Sequence, residues 1–253
     1  MRAFNLTFFT GLLGLLGMIN FAKGGAIFIQ PGARIVQFRA TVYVPPAPTV
    51  IQATGIQSFW PALEPADNSM ILQNVVANEG DVLGQWSFFE YFYDGLAPAG
   101  VEPIIHGEKR NVYHGDIIAS GFVLMNDFER WVGLTKPNQW FIEWRVKRGA
   151  EALRKGEVNF NGNATMDLSV YPNVGDFTQA ILATELNRAA KWEMGPLIWS
   201  NVDVQINGTN SDWCSVDKFI LSNATISGAG PVYPYSSPTG TACFFTGFTL
   251  TNS

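Results

Sequence analysis

Alternation of apolar and polar residues over short segments is the feature that most constrains how this chain can fold. Residues 36–44 show it best, because every even-numbered position is apolar and faces one side of an extended strand, opposite the odd-numbered positions. The same period of two recurs in residues 140–147 and 202–207, and residues 244–251 suit a final strand. Pro45 ends the first segment, since proline cannot donate to a sheet ladder. Short strands separated by turn residues predict an all-β chain, folded as a sandwich or a barrel.

Composition agrees with many strands and few helices. Charged residues make up 15% of the 253 residues and aromatic residues 13%, with 25 glycines and 14 prolines. Only residues 148–155 and 177–190 have good helix formers at favourable spacing. The length suits one large domain, which we place at residues 25–253. A net charge of −5 argues against a nucleic-acid partner, because phosphate binding requires clustered Lys and Arg.

The first residues have the pattern of a secretory signal peptide. Arg2 precedes an uncharged apolar run, residues 6–19, and the next charge is Lys23. The run has about the length of a signal-peptide core and is short for a membrane span. Small residues permit cleavage after Ala22 or Gly24. We therefore predict a signal peptide at residues 1–24 and a mature protein in the secretory lumen or outside the cell; a retained signal anchor is the alternative.

Two further features suit an oxidising compartment. Cys214 and Cys243 are the only cysteines, so a disulfide is expected in preference to two free thiols. A disulfide that closes the loop between these two cysteines would stabilise the fold by roughly 3–4 kcal/mol in the chain-entropy model. Asn163, Asn207 and Asn223 each begin an Asn-x-Thr sequon, and we predict that they are glycosylated.

A resemblance to a known family comes from the segment that ends at Gln73. Ile71-Leu72-Gln73 follows the aromatic pair Phe59-Trp60 and precedes an aromatic run at residues 86–93. This arrangement resembles the eqolisins, the secreted fungal glutamic peptidases, over residues 24–125 and 186–206. The resemblance implies two antiparallel sheets packed as a concanavalin-like sandwich, with a groove on one curved sheet. It also implies that Gln73 polarises a carbonyl group while a Glu acts as general base on water.

The expected Glu belongs to a family motif close to Ala-Glu-Trp/Phe-Ile-x-Glu. The segment Ala190-Lys-Trp-Glu-Met-Gly195 is taken as its counterpart, so that Gly195 stands where the carboxylate belongs. Glu193 and Lys191 would share a strand face with position 195. However, two residues along a strand amount to about 6.6 Å, too far to hold the same water. The catalytic carboxylate is therefore expected to be lost, with Glu193 as a displaced alternative.

The rest of the groove is expected to be aromatic, with a few polar groups. The candidates for substrate binding are Trp60, Trp86, Phe88, Tyr91 and Trp192, although alternation should send about half of them into the core. The candidate catalytic or orienting groups are Gln73, Glu90, Lys191 and Glu193. Such a wall suits a small apolar or aromatic ligand.

Motifs for cofactors and metals are lacking in the sequence. His106 and His114 have no acidic or Cys companion at metal-ligand spacing. There is no phosphate loop, dinucleotide fingerprint or Gly-x-Ser-x-Gly motif. We therefore expect neither cofactor nor metal.

Three functions of different classes follow. The preferred one is non-proteolytic small-molecule chemistry, by analogy with the secreted fungal hetero-Diels–Alderases of tropolone–terpenoid biosynthesis, which the chain resembles in size and signal peptide. There Gln73 or Lys191 would donate to a ligand oxygen, and Glu193 or Glu90 would assist loss of water from a precursor alcohol. The alternatives are an acid glutamic peptidase with displaced residues and a non-catalytic glycan-binding module.

Overall fold

The computed structural model describes residues 24–79, 82–96, 104–125, 139–188, 190–237 and 240–252, with backbone alone at residues 104–106. Apart from Gly24, the predicted signal peptide lies outside these residues. The described chain consists almost entirely of β-strands, arranged in two sheets whose paired strands are all antiparallel. This confirms the prediction of an all-β, two-sheet antiparallel sandwich.

Within the described residues, eight strands form the first sheet. Numbered along the chain, they are β1 (Ala26–Ile29), β3 (Gly55–Pro65), β4 (Met70–Ala77), β5 (Trp86–Asp94), β6 (Ile104–His106), β7 (Arg110–Val112), β11 (Phe177–Arg188) and β13 (Ile220–Ser222). Their order across the sheet is β13-β1-β11-β3-β4-β5, and both β6 and β7 pair with β5.

The second sheet also has eight strands in the part of the chain that the structure describes. They are β2 (Ile35–Tyr43), β8 (Ile117–Leu124), β9 (Gln139–Lys147), β10 (Phe160–Asp167), β12 (Leu197–Ile206), β14 (Ala224–Ser227), β15 (Val232–Ser237) and β16 (Gly240–Asn252). Their order is β10-β9-β8-β2-β12-β16-β14, and β15 also pairs with β16. A short helix, α1 (Ala150–Arg154), follows β9.

The space between the sheets is filled by every second side chain of their strands. The first sheet contributes Phe59 and Trp86, and the second contributes Phe38, Phe122 and Trp199, all of them fully buried. Burying a side chain of this kind stabilises the fold by roughly 1.5–3 kcal/mol. Because side chains alternate across a strand, the residues next to Phe59 and Trp86 in the sequence point to the outer face of the first sheet, where the candidate site lies.

Residues 177–188, part of a segment whose composition also suits a helix, form the strand β11. This strand lies between β1 and β3, and eleven of its residues pair with β3. Its side chains are apolar on both faces: Leu182 packs between the sheets, whereas Ile181 and Ala183 face outward. A strand that is buried on both faces has no period of two, so its sequence pattern does not separate it from a helix.

The predicted disulfide is confirmed. Cys214 and Cys243 are bonded, with their Cα atoms 5.5 Å apart, which ties the loop after β12 to the buried side of β16. Over the described residues, no helix is long and apolar enough to cross a bilayer. The three sequon asparagines, Asn163, Asn207 and Asn223, are all exposed, as a glycan requires. Their glycosylation stays a prediction.

Candidate functional site

A groove runs across the outer face of the first sheet. On β3, the residues Ser58, Trp60, Ala62 and Glu64 share this face, because Phe59 and Leu63 between them point into the core. The space in and above the groove amounts to about 490 Å³, open solvent included. Its lining residues are Gln52, Ile56, Ser58, Trp60, Gln73, Val75, Ala77, Glu79, Phe89, Tyr91 and Glu185. Most of this wall is apolar, which is unusual for an outer sheet face and is typical of a ligand site.

Gln73 lies towards one end of the groove. It pairs with Ala62 on β3 and with Tyr91 on β5, so both of its neighbours also face outward. Its side chain is almost fully buried, at 8% exposed, and its amide oxygen has no hydrogen-bond partner among the described residues. A buried amide oxygen without a donor costs about 1–3 kcal/mol of stability. This oxygen is therefore available to a donor on a ligand or on a neighbouring protonated side chain.

Glu185 and Glu79 are the two carboxyl groups among the residues that line the groove, and sequence reasoning missed Glu185. It lies on β11 opposite Ser58. The indole nitrogen of Trp60 donates to its Oε2 atom at 3.4 Å, and the Ser58 hydroxyl is 3.5 Å from the same atom. Burial raises the pKa of Glu185, and these two hydrogen bonds lower it by less. The side chain therefore retains its proton to a higher pH than an ordinary Glu.

The sequence did contain a signal for Glu185. Ala180 and Glu185 have the spacing of the first and last residues of the family motif, but the aromatic residue expected between them is absent. Trp192 supplies that aromatic residue in the later segment, residues 190–195, which was therefore the better match to the motif. In the structure residues 190–196 form no strand, and Gly195 adopts a left-handed conformation with φ of 78°. The expectation that Gly195 replaces the carboxylate of the groove is therefore corrected.

Gln73 and Glu185 line the same groove but do not lie side by side. Gln73 pairs with Ala62 and Glu185 with Ser58, so they are four residues apart along β3, or about 13 Å. They are also two strands apart across the sheet, which adds about 10 Å sideways. These distances refer to Cα atoms, and both side chains are long enough to shorten the gap between their polar groups. The two groups enter the groove from different strands and at different levels along it.

The predicted aromatic residues divide between the groove and the core. Trp60 and Tyr91 line the groove. Trp86 and Phe88 are each 1% exposed between the sheets, because they lie on the face of β5 opposite Tyr91, so they cannot contact a ligand there. Trp192 is partly buried against the core, edge-on to Phe59 with ring centres 6.3 Å apart. The last three assignments to the groove are therefore corrected.

Three of the predicted polar residues also lie outside the groove. Glu90 is on the core-facing side of β5, opposite Tyr91, and its carboxyl group packs on Gly107, where any Cβ would collide with it. Lys191 and Glu193 are exposed in the segment after β11 and are not among the lining residues. Alternation along β5 and the loop conformation after β11 explain these corrections.

A different cation lies at the rim of the groove. Lys109 forms a salt bridge with Glu79, and its Nζ atom lies 5.8 Å from the centre of the Phe89 ring. Both partners line the groove, so Lys109 closes one of its sides. No sequence pattern pointed to Lys109, because it follows the short strand β6 rather than a recognisable motif. Among the described residues, no three His, Cys, Asp or Glu side chains cluster as metal ligands would.

Comparison with known proteins gives a likeness in fold. No protein-family model matches the chain, and no curated protein matches it. Among solved structures, scytalido-glutamic peptidase bound to a peptide-based transition-state analogue is similar at 13% identity and a TM-score of 0.46, over 88% of this chain and 98% of that one. SCP-B, an eqolisin peptidase in complex with the tripeptide Ala-Ile-His, is similar at 13% identity and a TM-score of 0.47 over the same shares. Likeness at this level does not extend to the site, so the function is argued from the groove.

Proposed function

We propose that this chain is a secreted enzyme that binds a small apolar ligand in the groove of the first sheet. Its reaction is acid-assisted loss of water from a precursor alcohol, followed by cyclisation of the hetero-Diels–Alder type. Glu185 is the acid, Gln73 is a hydrogen-bond donor to a ligand oxygen, and Trp60 and Tyr91 hold the apolar part of the ligand. Glu185 and Gln73 take the roles for which the sequence also suggested Lys191, Glu90 and Glu193.

The observation that supports this proposal is a carboxyl group with a raised pKa facing an apolar wall. Its proton would pass to the hydroxyl group of the ligand, the C–O bond would break, and water would leave. The resulting carboxylate would then remove the acidic proton of the ligand, which leaves a neutral diene and restores the acid. A protonated Glu next to an apolar wall suits this sequence of steps, because low polarity disfavours the charged form.

Cyclisation itself needs little acid or base. The groove would hold the diene and the alkene in one reactive orientation, and the entropy that is already lost on binding lowers the barrier. A hydrogen bond from the Gln73 amide to the oxygen of the diene would withdraw electron density and fix which face reacts. The Cα atoms of Gln73 and Glu185 are about 16 Å apart by strand spacing, and the reach of both long side chains would bring their polar groups to the two ends of one oxygen-bearing diene.

The test uses a hydroxymethyl-substituted tropolone and a medium-ring terpene alkene. Purified protein should form a cycloadduct of one handedness, measured by chiral chromatography with mass detection. Glu185→Gln should lower the rate of water loss about 10²–10⁴-fold, the usual contribution of a general acid. Glu193→Gln is the matched control and should leave the rate unchanged, since Glu193 lies outside the groove.

A racemic product at the rate of the protein-free reaction would refute this function. Equal rates for the wild type and Glu185→Gln would refute the assigned acid. Tight binding of the ligand without turnover would instead favour the binding-module alternative.

A glutamic peptidase is the second candidate, because a Gln and a Glu line one groove. In that case Glu185 would be the general base and Gln73 would stabilise the oxyanion. The mostly apolar wall, which suits an apolar ligand more than a peptide backbone, argues against it. Release of acid-soluble peptides from denatured haemoglobin at acidic pH, abolished by both Gln73→Ala and Glu185→Gln, would establish the peptidase over the cyclase.

The secretory location is proposed on the disulfide and on the exposed sequons. Expression in a eukaryotic secretory host should give a protein whose mass falls on treatment with an amidase that removes N-glycans. Replacing the three sequon asparagines by Gln should abolish that change.

A further inference from the structure

Glu64 is a buried acid on the groove face of β3 that the proposed reaction does not use. It is 1% exposed and pairs with Gln179 on β11. On its other side lies Ile71, since Leu63 pairs with Leu72 on β4. Gln73 is therefore the diagonal neighbour of Glu64 on the same face, at about 7–8 Å between Cα atoms, within reach of two long side chains.

Both side chains have an oxygen that lacks a donor. The Oε1 atom of Glu64 and the Oε1 atom of Gln73 are buried and have no hydrogen-bond partner among the described residues. Two acceptor oxygens within reach of each other cannot satisfy one another. One proton placed on Glu64 removes both deficits, because it turns one acceptor into a donor aimed at the other.

Gln179, the direct neighbour of Glu64, is engaged elsewhere. Its amide nitrogen donates to the carbonyl oxygen of Pro65 and to the side-chain oxygen of Asn68, each at 3.0 Å. Its amide oxygen accepts from Gln30 at 2.6 Å. Gln73 is thus the polar neighbour on this face whose amide oxygen is still available to Glu64.

The charge state agrees with this arrangement. Burial raises the pKa of Glu64 to about 8 from its ordinary value of 4.5. The side chains beside and diagonal to it on β4 and β11 carry no charge; they are Ile71, Gln73, Gln179 and Ile181. Glu64 therefore keeps its proton at neutral pH.

We propose that Glu64 is a positioning residue that donates its carboxylic proton to the amide oxygen of Gln73 and so turns the Gln73 NH₂ group towards the groove. Glu64 itself does not touch the ligand. Loss of the proton reverses the arrangement, since an ionised Glu64 accepts from the NH₂ group and leaves the Gln73 oxygen facing the groove. The end of the groove then changes from a hydrogen-bond donor to an acceptor.

The first test is independent of any reaction. In protein labelled with ¹⁵N at glutamine side chains, the Gln73 amide resonance, identified by its loss in Gln73→Leu, should shift with pH with a midpoint near that of the Glu64 carboxyl group. This shift should vanish in Glu64→Gln and persist in the control Glu108→Gln, which alters an exposed Glu. A Gln73 resonance that ignores pH, or one that still titrates in Glu64→Gln, overturns the proposal.

The second test measures binding of tropone, whose carbonyl is an acceptor and which has no acidic proton of its own, by quenching of tryptophan fluorescence. Wild-type affinity should fall about tenfold or more, the loss of one hydrogen bond, when the pH rises from below to above the Glu64 transition. Glu64→Gln, which retains a donor at all pH values, should remove this dependence. Equal pH dependence in the two proteins overturns the proposal.

The positioning role of Glu64 rests on the proposed function, because it explains how Gln73 would act there. The experiments nevertheless distinguish a failure of the positioning role from a failure of the proposed function. A Gln73 amide that titrates with Glu64 in a protein that forms no cycloadduct refutes the cyclase and leaves the positioning role. A cycloadduct made by a protein whose Gln73 amide does not titrate refutes the positioning role alone.

Discussion

Glu64 and Glu185 belong to the same sheet face, and both have a pKa above the ordinary range. For Glu64 burial is the whole cause, and it raises the pKa to about 8. For Glu185, hydrogen bonds from Trp60 and Ser58 oppose the effect of burial. Hydrogen bonds to a carboxylate favour its ionised form. The donors present therefore decide how far the pKa of each carboxyl group lies above that of an exposed one.

The first prediction concerns the stability cost of Glu64. Its folded pKa is raised, so above the unfolded value near 4.5 the unfolded chain releases a proton that the folded chain keeps. The folded state then loses about 1.4 kcal/mol for each pH unit until the folded pKa near 8 is reached. Glu64→Gln should therefore be as stable as the wild type at pH 4 and increasingly more stable towards pH 8, measured by urea unfolding.

Glu193→Gln is the control for that series, because Glu193 is exposed and should show no such pH-dependent gain. A constant difference between Glu64→Gln and the wild type at all pH values would contradict the prediction.

The second prediction concerns the indole of Trp60. Its N–H donates to Glu185 and lowers the pKa of that residue, so Trp60→Phe should raise the pKa further. An acid-dependent rate is lost as pH rises through the pKa of the acid, and the descending limb of the pH–rate profile should therefore move to higher pH. Trp192→Phe is the matched control, since the Trp192 N–H donates to the Gly195 carbonyl, away from the groove. Identical profiles for both variants would show that the Trp60 bond does not affect Glu185.

At the scale of strands, β11 carries the largest difference between prediction and structure. Strands with one face in the core, such as β2 and β9, were evident from alternation alone, because polar residues mark their outer face. β11 has the groove on one side and the core on the other, so both faces are apolar and the mark is absent. The pattern that hid the strand also hid Glu185, its one acid on the groove face.

The third prediction tests the central position of β11. Leu182 is fully buried between the sheets, and Leu182→Ala should cost about 2–5 kcal/mol of unfolding free energy, as large-to-small core changes do. Leu221→Ala, on the edge strand β13 and 44% exposed, should change the stability by about 0.5 kcal/mol or less. Urea midpoints compare the two, and equal effects would mean that β11 does not lie in the core.

At the scale of the whole molecule, the sequence predicted the fold better than the site. The two sheets follow from local alternation and turn residues, whereas the groove needs side chains that are far apart in sequence. Trp60 and Glu185 touch across 125 positions. Pairing of this range depends on strand register, and no local pattern encodes it. Gln73 and Tyr91 were found because one motif spans the adjacent strands β4 and β5.

The fourth prediction concerns the bond between Cys214 and Cys243. It closes a loop of 29 positions, and Cys214→Ser with Cys243→Ala should lower the unfolding free energy by roughly 3–4 kcal/mol in the chain-entropy model. The groove lies on the other sheet, so tropolone binding to the folded double variant should be unchanged. Unaltered stability in denaturant would show that the closed loop is not part of the cooperative unit.

The position of Asn163 has a consequence for solubility. It is exposed on β10, which forms one edge of the second sheet as far as the described strands go, and the outer backbone groups of an edge strand can pair with another strand. A bulky, hydrated sugar at that point would keep a second molecule from extending the sheet. We therefore expect Asn163→Gln to associate through this edge at concentrations where the glycosylated protein stays monodisperse. A sugar on one residue would thus prevent polymerisation.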